Sequence, residues 1–301
     1  MRILISGATG LVGSALMRRA HDLGDEPVRL ARPALSNRTA TAQTSITWDP
    51  AAGTFDSGAE GADAVVHLAG ASIADGRWTE RRKRLLRESR VEATRQLVNA
   101  LRKLRRPPHV FVAASAVGFY GDRDDEMLSE TTFPGSDFLA ALTRDWEAES
   151  NAAATFGARV VLLRFGVILA RRGGALPRMV LPFRLGAGGP IGSGKQWMSW
   201  ITLEDAVSII YFALRTDSVR GPVNTVAPSP VRNADFARAL GRVLHRPALI
   251  STPSFVLRLA LGEMAGALLL SSQRAIPERL SQLGYKFMYP ELGPALESVL
   301  R

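Results

Sequence analysis

Met1-Arg-Ile-Leu-Ile-Ser-Gly7-Ala-Thr-Gly10-Leu-Val-Gly13 opens the chain, and its change from an apolar run to three glycines spaced three apart decides the fold. Arg2 to Ser6 shows no polar alternation, the pattern of a central parallel strand covered on both faces. After the glycines, Leu11, Val12, Ala15, Leu16, Arg19, Ala20 and Leu23 recur at helical spacing as far as Gly24, a residue suited to follow a helix end. The glycines therefore occupy a strand-to-helix turn. Such a turn lets backbone N–H groups approach a pyrophosphate with no Cβ in the way, and the helix N-terminus adds partial positive charge. A tight turn without a ligand is the alternative, and the position between a strand and a helix favours dinucleotide binding. The residues expected at the cofactor are Gly7, Thr9, Gly10, Leu11, Val12 and Gly13.

The next strand bears on which dinucleotide. Pro27 to Ala31 reads as that strand, with Arg32 at its end and no Asp or Glu between Pro27 and Ser45. NAD-selective proteins place an acidic residue there for the ribose hydroxyls. An arginine can instead pair with a 2′-phosphate, so NADP, with NADPH preferred over NADH, is the expected cofactor. The alternative is an ordinary solvated arginine.

Composition bounds what else the chain does. Its 301 residues, 46% of them hydrophobic, suffice for one large core or a core with a smaller second one. No apolar stretch approaches the roughly 20 residues of a membrane helix, and the first strand begins at once, so a cytoplasmic protein without a signal peptide is expected. Cysteine is absent, which excludes disulfides, thiol catalysis and thiolate metal sites. His21, His67, His109 and His245 lack ligand spacing, and no metal is expected.

The net charge of +10 calls for a reason, because basic proteins often bind nucleic acid. Much of the excess lies between Glu80 and Arg106, which reads as one long helix. Leu85, Leu86, Val91, Leu97, Val98, Leu101 and Leu104 give it an apolar stripe, and the arginines and lysines cover the rest. It holds no aromatic residue to stack on bases, so a solvated crossover helix is expected over a nucleic-acid site, the other alternative being that some of its arginines, Arg90 among them, attract an anionic cofactor or substrate.

Further strands are expected at Ile46–Trp48, Ala64–Gly70, Val110–Ala114, Arg159–Leu163 and Pro222–Val226, with a helix over Asp137–Phe156 and another capped by Asn233 and running to Leu244. Alternating strands and helices imply an α/β, Rossmann-type doubly wound parallel sheet. From Pro247 the sequence turns helix-rich. The expected division is a cofactor domain over 1–232 and a small, mainly helical, substrate-side domain over 233–301.

Several motifs now carry a family resemblance. The Gly7/Gly10/Gly13 turn, His67-Leu-Ala-Gly70, Ser115-Ala-Val-Gly-Phe-Tyr-Gly121 and Trp200-Ile-Thr-Leu-Glu-Asp205 resemble the extended short-chain dehydrogenases/reductases. Ala74-Asp-Gly-Arg-Trp-Thr79, Asp145-Trp-Glu147, Gly188-Gly-Pro-Ile-Gly-Ser-Gly194, Gln196-Trp-Met-Ser-Trp200 and Leu261-Gly-Glu-Met264 are similar to the atypical, epimerase-like branch of that superfamily, which ends in a small domain of unknown function. The resemblance implies an NADP-binding fold with Leu68, Ala69, Gly70, Ser115 and Arg164 near the cofactor. It implies an oxidoreductase or nucleotide-sugar-epimerase-like activity on a small molecule not identified by the sequence, and a homodimer through the Glu80–Arg106 helix or its neighbour.

The usual chemistry of that superfamily needs a tyrosine and a lysine one helical turn later, so that the ammonium stabilises the phenolate. Here no lysine follows any tyrosine by four residues. With Glu147 matched to the family's glutamate, Leu139 and Thr143 fall at the two positions. Ser115 stands at the first of the paired serines and Ala116 at the usual catalytic one, so Ser115 either meets the substrate or nicotinamide ribose or finishes a buried strand. Tyr120 is a candidate proton donor whose alternative is packing. The glycine-rich loop 166–199 is expected to be long, mobile and near the active site, with Lys195 able to reach an anion and Trp197, Met198 and Trp200 either walling a pocket or packing in the core. Glu204 and Asp205 are expected to favour a helix N-terminus. With the usual pair missing, the competing reading is a non-catalytic NADPH-binding sensor or regulatory protein.

Overall fold

The computed structural model describes residues 1–31, 45–49, 52–55 and 58–301. Its strands are β1 (Arg2–Ser6), β2 (Glu26–Ala31), β3 (Ser45–Asp49), β4 (Thr54–Phe55), β5 (Ala64–His67), β6 (Val110–Ala116), β7 (Met127–Leu128), β8 (Arg159–Phe165), β9 (Val167–Leu169), β10 (Trp197–Met198), β11 (Trp200–Thr202), β12 (Gly221–Thr225), β13 (Val231–Arg232) and β14 (Arg274–Ala275). Eight of them form one sheet in the order β12-β8-β6-β5-β1-β2-β3-β4, parallel throughout except at the β3–β4 edge. Order reverses beside β1, and the crevice at such a reversal is where open α/β sheets bind ligands.

The helices are α1 (Leu11–Asp22), α2 (Glu80–Arg87), α3 (Ala93–Arg102), α4 (Phe138–Asn151), α5 (Leu176–Arg184), α6 (Leu203–Arg215), α7 (Asn233–Leu244), α8 (Ser254–Leu261), α9 (Glu263–Ala265), α10 (Glu278–Gln282) and α11 (Leu292–Leu300). The apolar run of β1 is explained by the layers. Ile3 and Ile5 face Leu16 and Ala20 of α1 and Ile209 and Ile210 of α6, whereas Leu4 faces Leu97, Val98 and Leu101 of α3. Side chains alternate across a strand, and both faces are covered. A third core joins Phe183 of α5, Phe236 and Leu240 of α7, and Leu292, Leu296 and Val299 of α11 around Trp200.

Four expectations change. Strand β5 stops at His67 because the amides of Leu68 and Ala69 turn to the Ser6 hydroxyl. The basic segment is α2 and α3 joined by a π-type widening over Glu88–Glu92, and it ends at Arg102. Loop 166–199 holds β9, paired in parallel with β11, and helix α5 with a proline in its first turn. Asn233 does not cap α7 with its side chain: Arg232 precedes the helix, and the Asn233 carboxamide accepts from the Ile191 amide at 2.7 Å. Among the described residues no helix is long and apolar enough to cross a membrane.

Candidate functional site

The Gly7–Gly13 turn is built by close approach. Gly7 has φ +68°, and a Cβ there would lie 2.8 Å from the Leu68 carbonyl; one on Gly13 would lie 2.2 Å from the Gly7 carbonyl oxygen. Any side chain at either position forces the strand, the helix and the loop after β5 apart. Helix α1 starts from Gly10 with no side-chain cap and no acidic residue in its first turn. Thr9 and Gly10 are exposed and Leu11 and Val12 half-buried, so the first N–H groups of α1 form a bare, partly positive end suited to a phosphate.

The adjoining loop is fixed from below. Ser6 Oγ accepts from the amides of Leu68 at 3.2 Å and Ala69 at 3.3 Å and lies 2.6 Å from His67 Nδ1. With both lone pairs engaged, the hydroxyl donates to Nδ1, which leaves the proton of the neutral imidazole on Nε2, 3.0 Å from Thr94 Oγ1. Trp146 Nε1 donates to the same oxygen at 3.0 Å. His67 is thus a buried post under the loop. The amides of Leu68 and Ala69 face the protein, and Gly70 is the exposed residue of the three.

Beside Gly70 lies one arginine of the basic segment that the sequence does not single out. The Arg90 guanidinium is so close that a Cβ on Gly70 would lie 3.2 Å from its Cζ. It donates to the Ala71 carbonyl at 3.0 Å and sits 5.3 Å from the Trp146 ring centre. Burial, with Arg82 nearby, lowers its pKa to about 10, so it stays charged at neutral pH. Among the described residues no carboxylate forms an ion pair with it. In a segment crowded with arginines nothing marks this one, because the widening that turns it toward the loop has no sequence signature. Its neighbours Arg87 and Arg95 pair with Asp145 and Glu149 of α4. Arg32 lies outside the described residues.

Ser115, Tyr120 and Arg164 meet in one buried network at the ends of β6 and β8. Arg164 grips Glu147 of α4 with two bonds, Nε to Oε1 and Nη2 to Oε2, both 2.8 Å. Ser115 Oγ donates to Glu147 Oε1 at 2.5 Å. Tyr120, 0% exposed, donates to Asn224 Oδ1 at 2.6 Å and accepts from Arg164 Nη1 at 3.0 Å. The Arg164 Cζ stacks 3.5 Å from the Phe119 ring centre. Burial pushes the Tyr120 hydroxyl pKa up in spite of Arg164, and burial likewise raises Glu130, whose carboxylate accepts from the Asn224 amide at 3.0 Å. Leu139 and Thr143 are buried one turn apart on α4, and Thr143 Oγ1 donates to the Leu139 carbonyl at 2.7 Å.

The 166–199 segment separates its candidates. Trp200 is core and donates to the Ser229 carbonyl. Trp197 lies between Arg232 and Arg274 and donates to Asp125. Met198 lines a cavity of about 660 Å³ between α5, α7 and the 252–269 segment. Lys195 is exposed and does not line it. Glu204 is exposed in the first turn of α6, while Asp205 is 1% exposed and accepts from the amides of Met288 at 2.8 Å and Tyr289 at 3.0 Å. Among the described residues no group of His, Asp or Glu could hold a metal ion.

Two family models match the chain: NAD dependent epimerase/dehydratase family over residues 3–226, and a domain of unknown function, DUF1731, over 252–299. Epimerase family protein Mb2239 of Mycobacterium bovis is 41% identical over 295 residues, 98% of this chain and 96% of that protein. Epimerase family protein YfhF of Bacillus subtilis is 36% identical, covering 100% and 98%. The crystal structure of human epimerase family protein SDR39U1 (isoform 2) with NADPH superposes with a TM-score of 0.90 at 38% identity, over 100% of this chain and 99% of that one.

Proposed function

The chain belongs to the NAD dependent epimerase/dehydratase family, and we propose that it binds NADP(H) at the Gly7–Gly13 turn and acts as an oxidoreductase or epimerase-like enzyme on a small molecule. The carrying observation is the bare N-terminus of α1 at a glycine turn that packs on the loop after β5, with the partly buried Arg90 beside Gly70 of that loop and, among the described residues, no carboxylate ion-paired to it. A partly positive helix end and a cation on the adjoining loop suit a pyrophosphate. The human relative solved with NADPH supports the same choice.

Each group then has a role. Gly7, Thr9, Gly10, Leu11, Val12 and Gly13 line the phosphates, Leu68, Ala69 and Gly70 form the wall opposite, and Arg90 pairs with a phosphate oxygen. Arg32 pairs with the 2′-phosphate and sets the preference for NADPH over NADH. When bound, the nicotinamide supplies a site at C4 that gives or takes hydride. Ser115, near the end of β6, polarises a substrate oxygen only by turning its hydroxyl away from Glu147. Arg164 orients Glu147 and, through it, Ser115. Tyr120 keeps its proton, donating it to Asn224 Oδ1, and serves packing. Residues 1–232 carry the cofactor and 233–301 the substrate side. The reading includes a cytoplasmic location and a homodimer through α2–α3, which light scattering tests.

Commitment of the Ser115 and Tyr120 hydroxyls to other side chains favours a second reading, a non-catalytic NADPH-binding sensor or regulatory protein. One experiment separates the two: titrate NADPH and NADH by tryptophan quenching, then follow nicotinamide absorbance against a carbonyl panel. Tight NADPH binding with turnover supports the enzyme, and binding without turnover supports the sensor. Arg90→Met is expected to weaken NADPH about tenfold, as loss of one charge-assisted contact does. Arg32→Asp should weaken NADPH more than NADH. Absence of binding by the unaltered protein overturns both readings.

A further inference from the structure

The cavity of about 660 Å³ is lined mainly by apolar side chains. Met179 and Phe183 of α5, Phe236 and Leu240 of α7, and Leu261 and Leu268 of the C-terminal segment account for much of its lining. Its size is that of a small-molecule site. One end adjoins the turn, since Gly174 lines the cavity and a Cβ built on it would lie 3.0 Å from the Leu11 side chain.

Polar side chains are a minority of the lining, namely Ser72, Arg178, Asn233 and Thr252 among the described residues. Of these Arg178 alone is charged, and it already pairs with Asp75 at 3.0 Å and donates to the Ala74 carbonyl at 3.1 Å. The Asn233 carboxamide accepts from the Ile191 amide and donates to the Met198 sulfur at 3.2 Å. A sugar nucleotide would bring two phosphate charges and a ring of hydroxyls into this lining, and charges or hydroxyls enclosed without partners are strongly disfavoured. Helix α8 turns Leu257 and Leu261 to the cavity and leaves Phe255 and Leu259, 69% and 76% exposed, in solvent.

We propose that this cavity is the substrate chamber and that it takes a largely hydrocarbon or aromatic molecule with at most one polar end, not a sugar nucleotide. The proposal rests on the cofactor reading above for its reaction, but its ligand class rests on the lining alone. An alkyl chain or fused ring lies against the methionines and phenylalanines, and its single polar end reaches the Gly174–Leu11 end beside the cofactor turn.

The test uses the full chain, with and without NADPH, and the uncharged fluorophore 1-aminoanthracene as probe. Saturable binding of one equivalent, displaced by 2-decanone but not by UDP-glucose, is expected. Met179→Glu and Leu268→Glu place a carboxylate on the partly exposed wall and should weaken the probe about tenfold or more, the cost of burying a charge without a partner, with NADPH affinity unchanged. Displacement by UDP-glucose, absence of a saturable probe site, or unchanged probe affinity in both variants would overturn the proposal. The displacement arm needs no variant, so it decides the matter even where a glutamate prevents folding. NADPH binding is read separately by tryptophan quenching: its absence strikes the cofactor reading, whereas a probe failure with NADPH bound strikes the chamber alone.

Discussion

Glu147 is the residue on which the buried network turns, because it neutralises Arg164 and holds Ser115 at once. Removing one partner of a buried ion pair leaves an uncompensated charge and costs about 3–5 kcal/mol. Glu147→Gln is therefore expected to lower stability in urea by that order, with Arg164 left unneutralised. Tyr120→Phe takes the donor from Asn224 Oδ1 and the acceptor from Arg164 Nη1, and a cost of about 1–3 kcal/mol follows from leaving such groups unsatisfied. Ser115→Ala should cost less, since Glu147 Oε1 keeps its bond from Arg164 Nε. Once a substrate is known, unchanged turnover in Tyr120→Phe agrees with its packing role. Unchanged turnover in Ser115→Ala as well would remove every proposed proton-handling group.

At the scale of elements, legibility followed periodicity. β1 and α1 could be read because an apolar run and a 3.6-residue repeat meet at glycines whose missing Cβ atoms the fold requires. β5 was read too long because Leu68 and Ala69 are apolar, while the side chain that ends the strand, Ser6, is far away in sequence. Loop 166–199 holds two short strands and a helix that its glycines mask, and the strands pair only with distant partners, Val167–Leu169 with β11 and Trp197–Met198 with β13. Arg90 is hard to single out for the same reason: its meaning comes from its place beside Gly70, distant in sequence, and from its having no ion pair among the described residues. The α1–β2 connection carries a pH prediction. Asp25 joins the Met1 ammonium at 2.8 Å to Arg215 at the end of α6 at 2.9 Å. Burial pushes its carboxyl up, but the ammonium and the guanidinium together outweigh this and hold the pKa below the ordinary 3.8. The unfolded chain then binds the proton more readily, so the contribution to stability is present above the unfolded value and fades as pH falls through the folded one. Asp25→Asn should be less stable than the unaltered protein near neutrality, with the gap in urea midpoint closing below pH 3.8. A gap that stays constant with pH would remove this account of Asp25.

For the whole molecule, the question is what keeps the helix-rich end against the sheet so that a chamber exists between them. Side chains of α5, α7 and α11 share one core around Trp200, which supplies area but little direction. Direction comes from Asp205, buried in the first turn of α6, whose two carboxylate oxygens accept from the successive amides of Met288 and Tyr289. A charged acceptor holding two backbone donors fixes register as well as distance. Thr202 Oγ1 accepts from the Asp205 amide and donates to its carboxylate at 3.2 Å, so the clamp is itself held by the helix cap. Asp205→Ala deletes the acceptor and leaves both amides without it, at about 1–3 kcal/mol. Because the apolar core remains, the expected result is local opening of the 285–289 segment ahead of global unfolding. Lys286 lies exposed within that segment, which gives the opening a direct reading. Trypsin should cut after Lys286 several-fold faster in the variant under native conditions, with the product identified by mass and the global urea midpoint moving less than the cleavage rate. Equal cleavage rates in the two proteins would mean that the shared core, and not the Asp205 clamp, holds the C-terminal segment in place.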